Sequence, residues 1–304
     1  MSEPIAFDTR FDAPHGVAVT LSPLLRRVVA PNPGPVTFTG TCSYVVGRGT
    51  VAIVDPGPDD PAHVEALLAA VAGESVGHVV VTHTHRDHSP AARAIVAATG
   101  ARLVGCGPHR PASVLPDGVA NPMEASGDRD YRPDLEMREG DAIAGAGWSL
   151  VAVETPGHTA NHLAFALPEE RALLSGDHVM AWATTFVGPP DGAMGPYMAS
   201  LSKLLAREDD VVYWPGHGGP VTEPRRMVRA ILAHRRQREE AILARLRAGD
   251  SAVPEIVANV YRGLAPALHG AAALNVLAHL EDLAAREVVR VEGPLSLAAR
   301  FAMA

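Results

Sequence analysis

Over the first 55 positions the apolar residues come in short runs, "VAVTL", "LRRVVA", "TFTGTCSYVVG" and "TVAIVD", with a Pro/Gly break at 31–35, which predicts strands joined by turns. The period then lengthens. "PAHVEALLAAVAG" spaces its apolar residues as a helix does, "HVVVTH" reads as a short buried strand, "SPAARAIVAATG" as a helix opened by Ser-Pro and closed by Gly, and "RLVGC" as a further strand. Residues 107–136, rich in Pro, Gly and Asp, predict a long loop, a feature that in compact domains often serves function. Strands follow at "WSLVAVETPG", "HLAFALPEE" and "RALLSGDHV", the latter two as a hairpin. An irregular stretch at 181–196, a helix over about 197–206, the strand "VVYWPG" and a helix opened by Pro and Glu complete this region. Strands and helices in both halves predict two facing sheets with helices outside, an α/β layered fold.

The last part of the chain changes character. "RMVRAILAHRRQREEAILARLRAG", "VPEIVANVYRG" and "AAALNVLAHLEDLAARE" read as three helices, and "VVRVEGPLSLAARFA" as two short strands around Gly-Pro. Three helices and a terminal hairpin resemble a winged helix. This places one domain at 1–222 and a second at 223–304. Charge supports the division, because residues from 225 onward carry 12 basic against 8 acidic side chains while the rest carries 14 against 26.

Composition narrows the class. A chain of 304 residues with 47% hydrophobic content has enough apolar material for a sizeable core. Two cysteines, Cys42 and Cys106, argue against a disulfide framework and fit a reducing compartment. The N-terminal "MSEPIAFDTRFDAPHG" has no apolar signal-like segment, and no apolar run is long enough to span a bilayer. A cytoplasmic protein with no membrane partner is expected.

The chemistry concentrates in "VVVTHTHRDHSP", residues 79–90, where a strand runs directly into His83, His85, Asp87 and His88. In a chain with 14 histidines such a cluster could be incidental, but the setting recurs. His158 in "TPGHTANH", Asp177 in "SGDH" and His217 in "WPGHGG" each follow a strand and a glycine. Strand ends on one rim of a layered fold converge, and sites are built there. Neutral imidazoles and carboxylates suit zinc and related divalent ions, and a carboxylate can hold two such ions close together. The turn can offer His83 and His85 to one ion, and Asp87 and His88 to another. Water bound between two ions loses a proton near neutral pH and becomes a nucleophile, which points to hydrolysis.

His83-x-His85-x-Asp87-His88 with His158, Asp177 and His217, in that order, resembles the metallo-β-lactamase superfamily, whose members fold as an αββα sandwich. The resemblance implies that His83, His85 and His158 bind a first metal, that Asp87, His88 and His217 bind a second, and that Asp177 bridges them. It further implies two divalent ions per chain, zinc foremost. Asp55 in "VDPG" matches the early Asp of the superfamily and is expected to orient a ligand histidine. In the implied mechanism a hydroxide on the metals attacks an ester-like or phosphodiester bond, with Asp87 or a bound water carrying the proton.

Within the superfamily, true β-lactamases, cleavage-factor-type RNA-processing members and flavodiiron proteins each lack a feature of this chain or require one it does not have. Over nearly its full length it resembles the lactamase-beta-two-like branch, through "TFTGTCSYVVG", "SGDHVMAWATT", "YMASLSKL", "PGHGGPV" and the terminal winged helix. That resemblance allows single-stranded RNA or a small ester-like molecule as substrate, and a homodimer. Three alternatives stay open: a glyoxalase-II-like thioester or lactone hydrolase, to which "TPGHTANHLAF" and His162 are similar; a mononuclear iron sulfur dioxygenase; and a winged-helix DNA-binding regulator with a vestigial metal site. Thr184, Thr185 and Tyr197, in or just after the loop beyond Asp177, are candidate substrate contacts. Arg235, Arg236 and Arg238, followed by Glu239 and Glu240, read as a solvated helix face.

Overall fold

A computed structural model of the chain describes residues 5–304. The strands at its start are β1 (Val19–Thr20), β2 (Leu25–Val29), β3 (Cys42–Val46) and β4 (Thr50–Val54), followed by α1 (Pro61–Ala70), β5 (Ser75–Val81), α2 (Ala92–Thr99), β6 (Arg102–Gly105) and β7 (Leu135–Glu136). These strands form a seven-stranded sheet in sequence order, antiparallel from β1 to β4 and parallel from β4 to β7. The second sheet contains β8 (Ala142–Gly145), β9 (Trp148–Glu154), β10 (Leu163–Leu167), β11 (Ala172–Gly176) and, after α3 (Met194–Leu205), β12 (Val212–Pro215), in the order β12-β11-β10-β9-β8. The chain ends in α4 (Pro224–Arg247), α5 (Val253–Val260), α6 (His269–Ala285) and the hairpin β13 (Val289–Glu292) with β14 (Arg300–Met303).

The layering follows from the period-2 pattern of strands buried on both faces. Along β10, Leu163, Phe165 and Leu167 face the core shared with Val45, Ile53 and Val79 of the first sheet. Ala164 and Ala166, between them, face Tyr197 and Leu201 of α3 and Val228 and Ile231 of α4. Leu67 of α1 and Ile95 of α2 pack on the first sheet. The result is the αββα sandwich expected from the sequence. Full burial of a side chain such as Phe165 contributes about 2–3 kcal/mol.

α4 joins two packing units. Its first half belongs to the sandwich through Val228, Ile231 and Leu232, and its second half, through Ile242 and Leu246, packs with α5, α6 and the β13–β14 hairpin. The 24-residue helix is therefore a shared wall rather than a linker. Among the described residues no helix is long and apolar enough to cross a membrane.

Several local expectations are corrected. The "TFTGT" part of the predicted third strand is a loop, held by Thr41 N–H donating to Asn32 Oδ1 and by the Thr37 hydroxyl donating to Asn32 O; pairing starts at Cys42. α3 begins at Met194, three residues earlier than the periodicity suggested. Ser89 does not cap α2: that helix starts at Ala92 without a side-chain cap, and the Ser89 hydroxyl donates to Asp128 at 2.8 Å. Gly100 closes α2 in the left-handed conformation, as the pattern indicates.

Candidate metal centre

The ends of β4, β5, β9, β11 and β12 carry Asp55, the 83–88 turn, His158, Asp177 and His217 to one rim. Backbone bonds tie the two sheets together there: Leu163 N–H donates to Thr82 O at 2.8 Å, and Cys42 N–H to Gly216 O at 2.7 Å. The strand ends of both sheets are thereby fixed against each other.

His83, His88, His158 and His217 each have one nitrogen anchored outward by a hydrogen bond and the other turned inward. Thr82 donates its backbone N–H to Asp55 Oδ1 and its hydroxyl to Asp55 Oδ2, both at 2.8 Å. With that hydrogen used, Thr82 Oγ1 can only accept from His83 Nδ1, 3.0 Å away, so His83 Nε2 is bare. Asp55 Oδ2 also accepts from His88 Nδ1 at 3.0 Å, so it directs His88 Nε2 inward. His158 Nδ1 donates to Phe186 O at 2.6 Å, and His217 Nδ1 to Gly40 O at 3.3 Å. His85 is turned the other way round, with Nε2 facing Asp191 at 3.8 Å and Nδ1 facing His158 Nε2 at 3.0 Å. Asp55 holds its position from the left-handed region at φ 49°, where Asp is among the few side chains tolerated.

The inward atoms converge. Donors of His83, His85 and His158 lie within 4.8 Å of one another, as do those of His83, His88 and Asp177, and those of Asp87, His88 and His217. Asp177 reaches both sides, with Oδ1 3.5 Å from His88 Nε2 and Oδ2 3.3 Å from His217 Nε2 and 3.7 Å from His158 Nε2. His83 Nε2 and Asp177 Oδ1 are buried without a hydrogen-bond partner. Buried orphans of this kind in a ring of imidazole and carboxylate donors fit one or two divalent cations.

Electrostatics divides the cluster. Burial, reinforced by neighbouring rings, pushes His158 down to about 4 and His83 well below the usual histidine value. Burial acts the same way on His217 and His88, but the carboxylates beside them outweigh it: Asp177 and Asp87 raise His217 to about 9, and Asp87, Asp177 and Asp55 hold His88 well above its ordinary value. Conversely, burial would raise Asp87, yet the charges of His88 and His217 keep it low. The raised values favour a proton on that side, one that a bound cation would displace.

Supporting residues lock the geometry. His162 Nε2 accepts from Asp177 N–H at 3.2 Å while its Nδ1 meets Thr155 Oγ1 at 2.8 Å, so it positions the carboxylate that joins the two sides. A Cβ on Gly216 would collide with Asp177 Oδ1 and His88 Cε1, so only glycine lets that backbone approach. Asp191 was not singled out from the sequence. It is buried between His85 and His109, its carboxylate 3.6 Å from His109 Nε2. Burial would raise it, but the facing His109 and His85 hold it at about 2.

The expected substrate contacts at Thr185 and Tyr197 are corrected. The Thr185 hydroxyl lies close to the backbone carbonyls of Asp177 and His178, at 2.7 and 2.9 Å, and the Tyr197 hydroxyl donates to His178 O at 3.2 Å; both side chains are buried. They brace the loop that follows Asp177. Thr184 is half-buried and takes no part in that bracing. Arg235 is also corrected. It is 3% exposed, donates to Thr185 O and to Asn275 Oδ1, and lies over the Tyr197 ring. The signal was present, because Val228, Ile231, Leu232 and Arg235 share one helical face.

A two-sheet sandwich with imidazole and carboxylate donors gathered at one rim defines a candidate metal-binding scaffold. The chain belongs to the metallo-β-lactamase superfamily: residues 36–217 match the model of that family, and residues 252–294 match that of the β-lactamase associated winged helix domain. It is 30% identical over 288 residues to the β-lactamase-like protein 2 homolog of Caenorhabditis elegans, covering 88% of this chain and 87% of that one. It is 31% identical over 229 residues to the atrochrysone carboxyl ACP thioesterase of Paecilomyces divaricatus, covering 74% of this chain and 65% of that protein. The chain spans less than two thirds of the length of the first curated relatives it matches. Among solved structures, a metallo-β-lactamase family protein from Thermus thermophilus superposes with a TM-score of 0.72 at 26% identity, covering 94% of this chain and 100% of that one.

Proposed function

We propose that the protein hydrolyses an ester-like bond, and specifically an acyl thioester, with a pair of divalent ions held at the rim, zinc foremost. The observation that carries the reading is the convergence of seven inward-facing donors, His83, His85, Asp87, His88, His158, Asp177 and His217, into overlapping groups joined by Asp177. His83, His85 and His158 would hold one ion, Asp87, His88 and His217 the other, and Asp177 would span both. When bound, such ions supply a nucleophile from water near neutral pH and polarise the attacked carbonyl.

The chain's own groups do the rest. Asp55 keeps His88 oriented, His162 keeps Asp177 in place, and Asp191 faces the outer nitrogen of His85. Asp87, its side chain 24% exposed, is the candidate ligand most open to solvent. Its Oδ2 can therefore take a proton from the reacting water and release it to bulk. A thiolate leaves readily because a thiol has a pKa of about 8.5. The similarity to a protein named as a thioesterase supports this choice among ester-like substrates.

Turnover of protein of measured metal content should be followed against acyl thioesters of N-acetylcysteamine, a lactone, single-stranded RNA and bis-p-nitrophenyl phosphate. Metal-dependent thioester hydrolysis is expected. RNA cleavage without thioester turnover would overturn the thioester assignment and favour a nuclease. One iron per chain with oxygen consumption on a persulfide would identify a sulfur dioxygenase instead.

A further inference from the structure

A cavity of about 920 Å³ opens between the segment 5–12, β2, the loop after β12 and the first turns of α4. Phe11, Leu21, Trp214 and Met227 give it apolar walls, and Arg27 lines it as well. None of the candidate metal ligands lines it, although Ala181 and Gly219, which follow Asp177 and His217 closely along the chain, do. The volume is at the upper end of the about 300–1,000 Å³ usual for small-molecule sites.

The two arginines of β2 differ sharply. Arg26 has a counter-ion, with Glu74 at 2.6 Å and Ala70 O at 2.8 Å, although its Nε too is buried without an acceptor. Arg27, on the opposite face of the strand, is 7% exposed and stacks 4.4 Å from the Phe11 ring centroid, and its guanidinium makes no hydrogen bond or ion pair with any described residue. Its Nε is buried without an acceptor, as is Trp214 Nε1 on another wall of the cavity. A guanidinium cannot shed its proton to escape burial, so among the described residues it remains a cation without a counter-ion. Of the three carboxylates that line the cavity, Asp8 is bonded to Arg10 at 3.2 Å, Glu223 to Arg226 at 3.0 Å, and the exposed Asp12 forms no ion pair with Arg27.

We propose that this cavity is a second binding site, separate from the metal centre, for a small amphipathic anion. The anionic head, a carboxylate or a phosphate monoester, pairs with Arg27, and an apolar chain lies against Phe11, Leu21, Trp214 and Met227. Arg27 presents a planar fork suited to either head group, and the stacked Phe11 ring holds that fork in place.

Titration calorimetry on the metal-loaded protein with decanoate, decyl phosphate and 1-decanol tests this. At least one anion should bind about 10-fold or more tightly than decanol, the expected yield of a charge-assisted hydrogen-bonded pair, and the tighter of the two identifies the head group. Arg27→Met, with Arg27→Gln as a second variant, should reduce anion affinity to the level of decanol. Ala233→Trp, which fills the cavity from α4 without touching a metal ligand, should abolish binding of all three. Equal affinity of anion and alcohol for the unaltered protein overturns the proposal without recourse to any variant. Anion binding that survives both Arg27→Met and Ala233→Trp locates it elsewhere, such as at the metals, and also overturns it.

Discussion

Buried histidines with unpartnered ring nitrogens occur both at the metal rim and in the C-terminal helical unit, and the two settings mean different things. At the rim, His83 has one nitrogen tied to Thr82 and the other pointing at the donors of His85, His158, His88 and Asp177. In α6, His279 is 2% exposed with both nitrogens unpartnered, but the charged groups that act on it are Arg235, Arg286, His234 and Arg238, all basic. One region assembles lone pairs and carboxylates around a point, and the other surrounds a neutral ring with positive charge. An orphaned nitrogen therefore marks a metal position only where further donors converge on it and an outer bond fixes the ring.

The contrast is tested hardest at Asp177, the group common to both sides of the rim. Asp177→Ala should lower metal-dependent turnover by about 1,000-fold, the equivalent of the several kcal/mol of charge stabilisation that bound metal provides, and should reduce metal content measured by elemental analysis. Full activity with both ions retained would remove the proposed mechanism. Gly216→Ala comes next. Its new Cβ meets Asp177 and His88, so metal affinity measured by chelator competition should fall by roughly 100-fold. Asp191→Asn keeps the shape but removes the charge facing His85 and His109, and a loss nearer about 10-fold in metal affinity is expected, again by chelator competition. An unchanged affinity would make Asp191 a packing residue only.

Much of the rim was legible because each donor directly follows a strand whose apolar run is unambiguous: "HVVVT" before His83, "LVAVE" before His158 and "VVYW" before His217. The αββα layering was legible for the same reason, since β10 alternates large and small apolar residues with period 2. Asp191 was not, because it lies in the irregular 181–196 stretch, where no period assigns a side chain to a face. The expected roles of Thr185 and Tyr197 failed because loop proximity to Asp177 does not say whether a hydroxyl faces the cavity or the backbone behind it. Arg235 failed for another reason. Its charge points to solvent while its helical position points inward, and an arginine on an apolar stripe can be buried when a backbone carbonyl and a side-chain amide oxygen meet its fork. The branch point of the two packing units was also hidden, because a periodic helix such as α4 looks the same whether it lies in one unit or is shared.

The helical side of the contrast gives the smallest effect and the one read most directly from pH. Burial is the main cause that holds His279 at about 3, with the surrounding arginines and His234 adding to it, so the folded ring stays neutral at pH values where the unfolded ring, near 6.5, gains a proton. The unfolded state then binds more protons than the folded one below pH 6.5, and stability falls as the pH falls. Between pH 7 and pH 6 this group alone should cost roughly 0.7 kcal/mol of unfolding free energy. His279→Gln cannot titrate at this position, so between the two pH values the histidine form should lose about 0.7 kcal/mol more in urea unfolding than the variant does. Equal pH dependence would mean that His279 is open to protonation when folded, and the distinction between a packing histidine and a ligand histidine would have to rest on the converging donors alone.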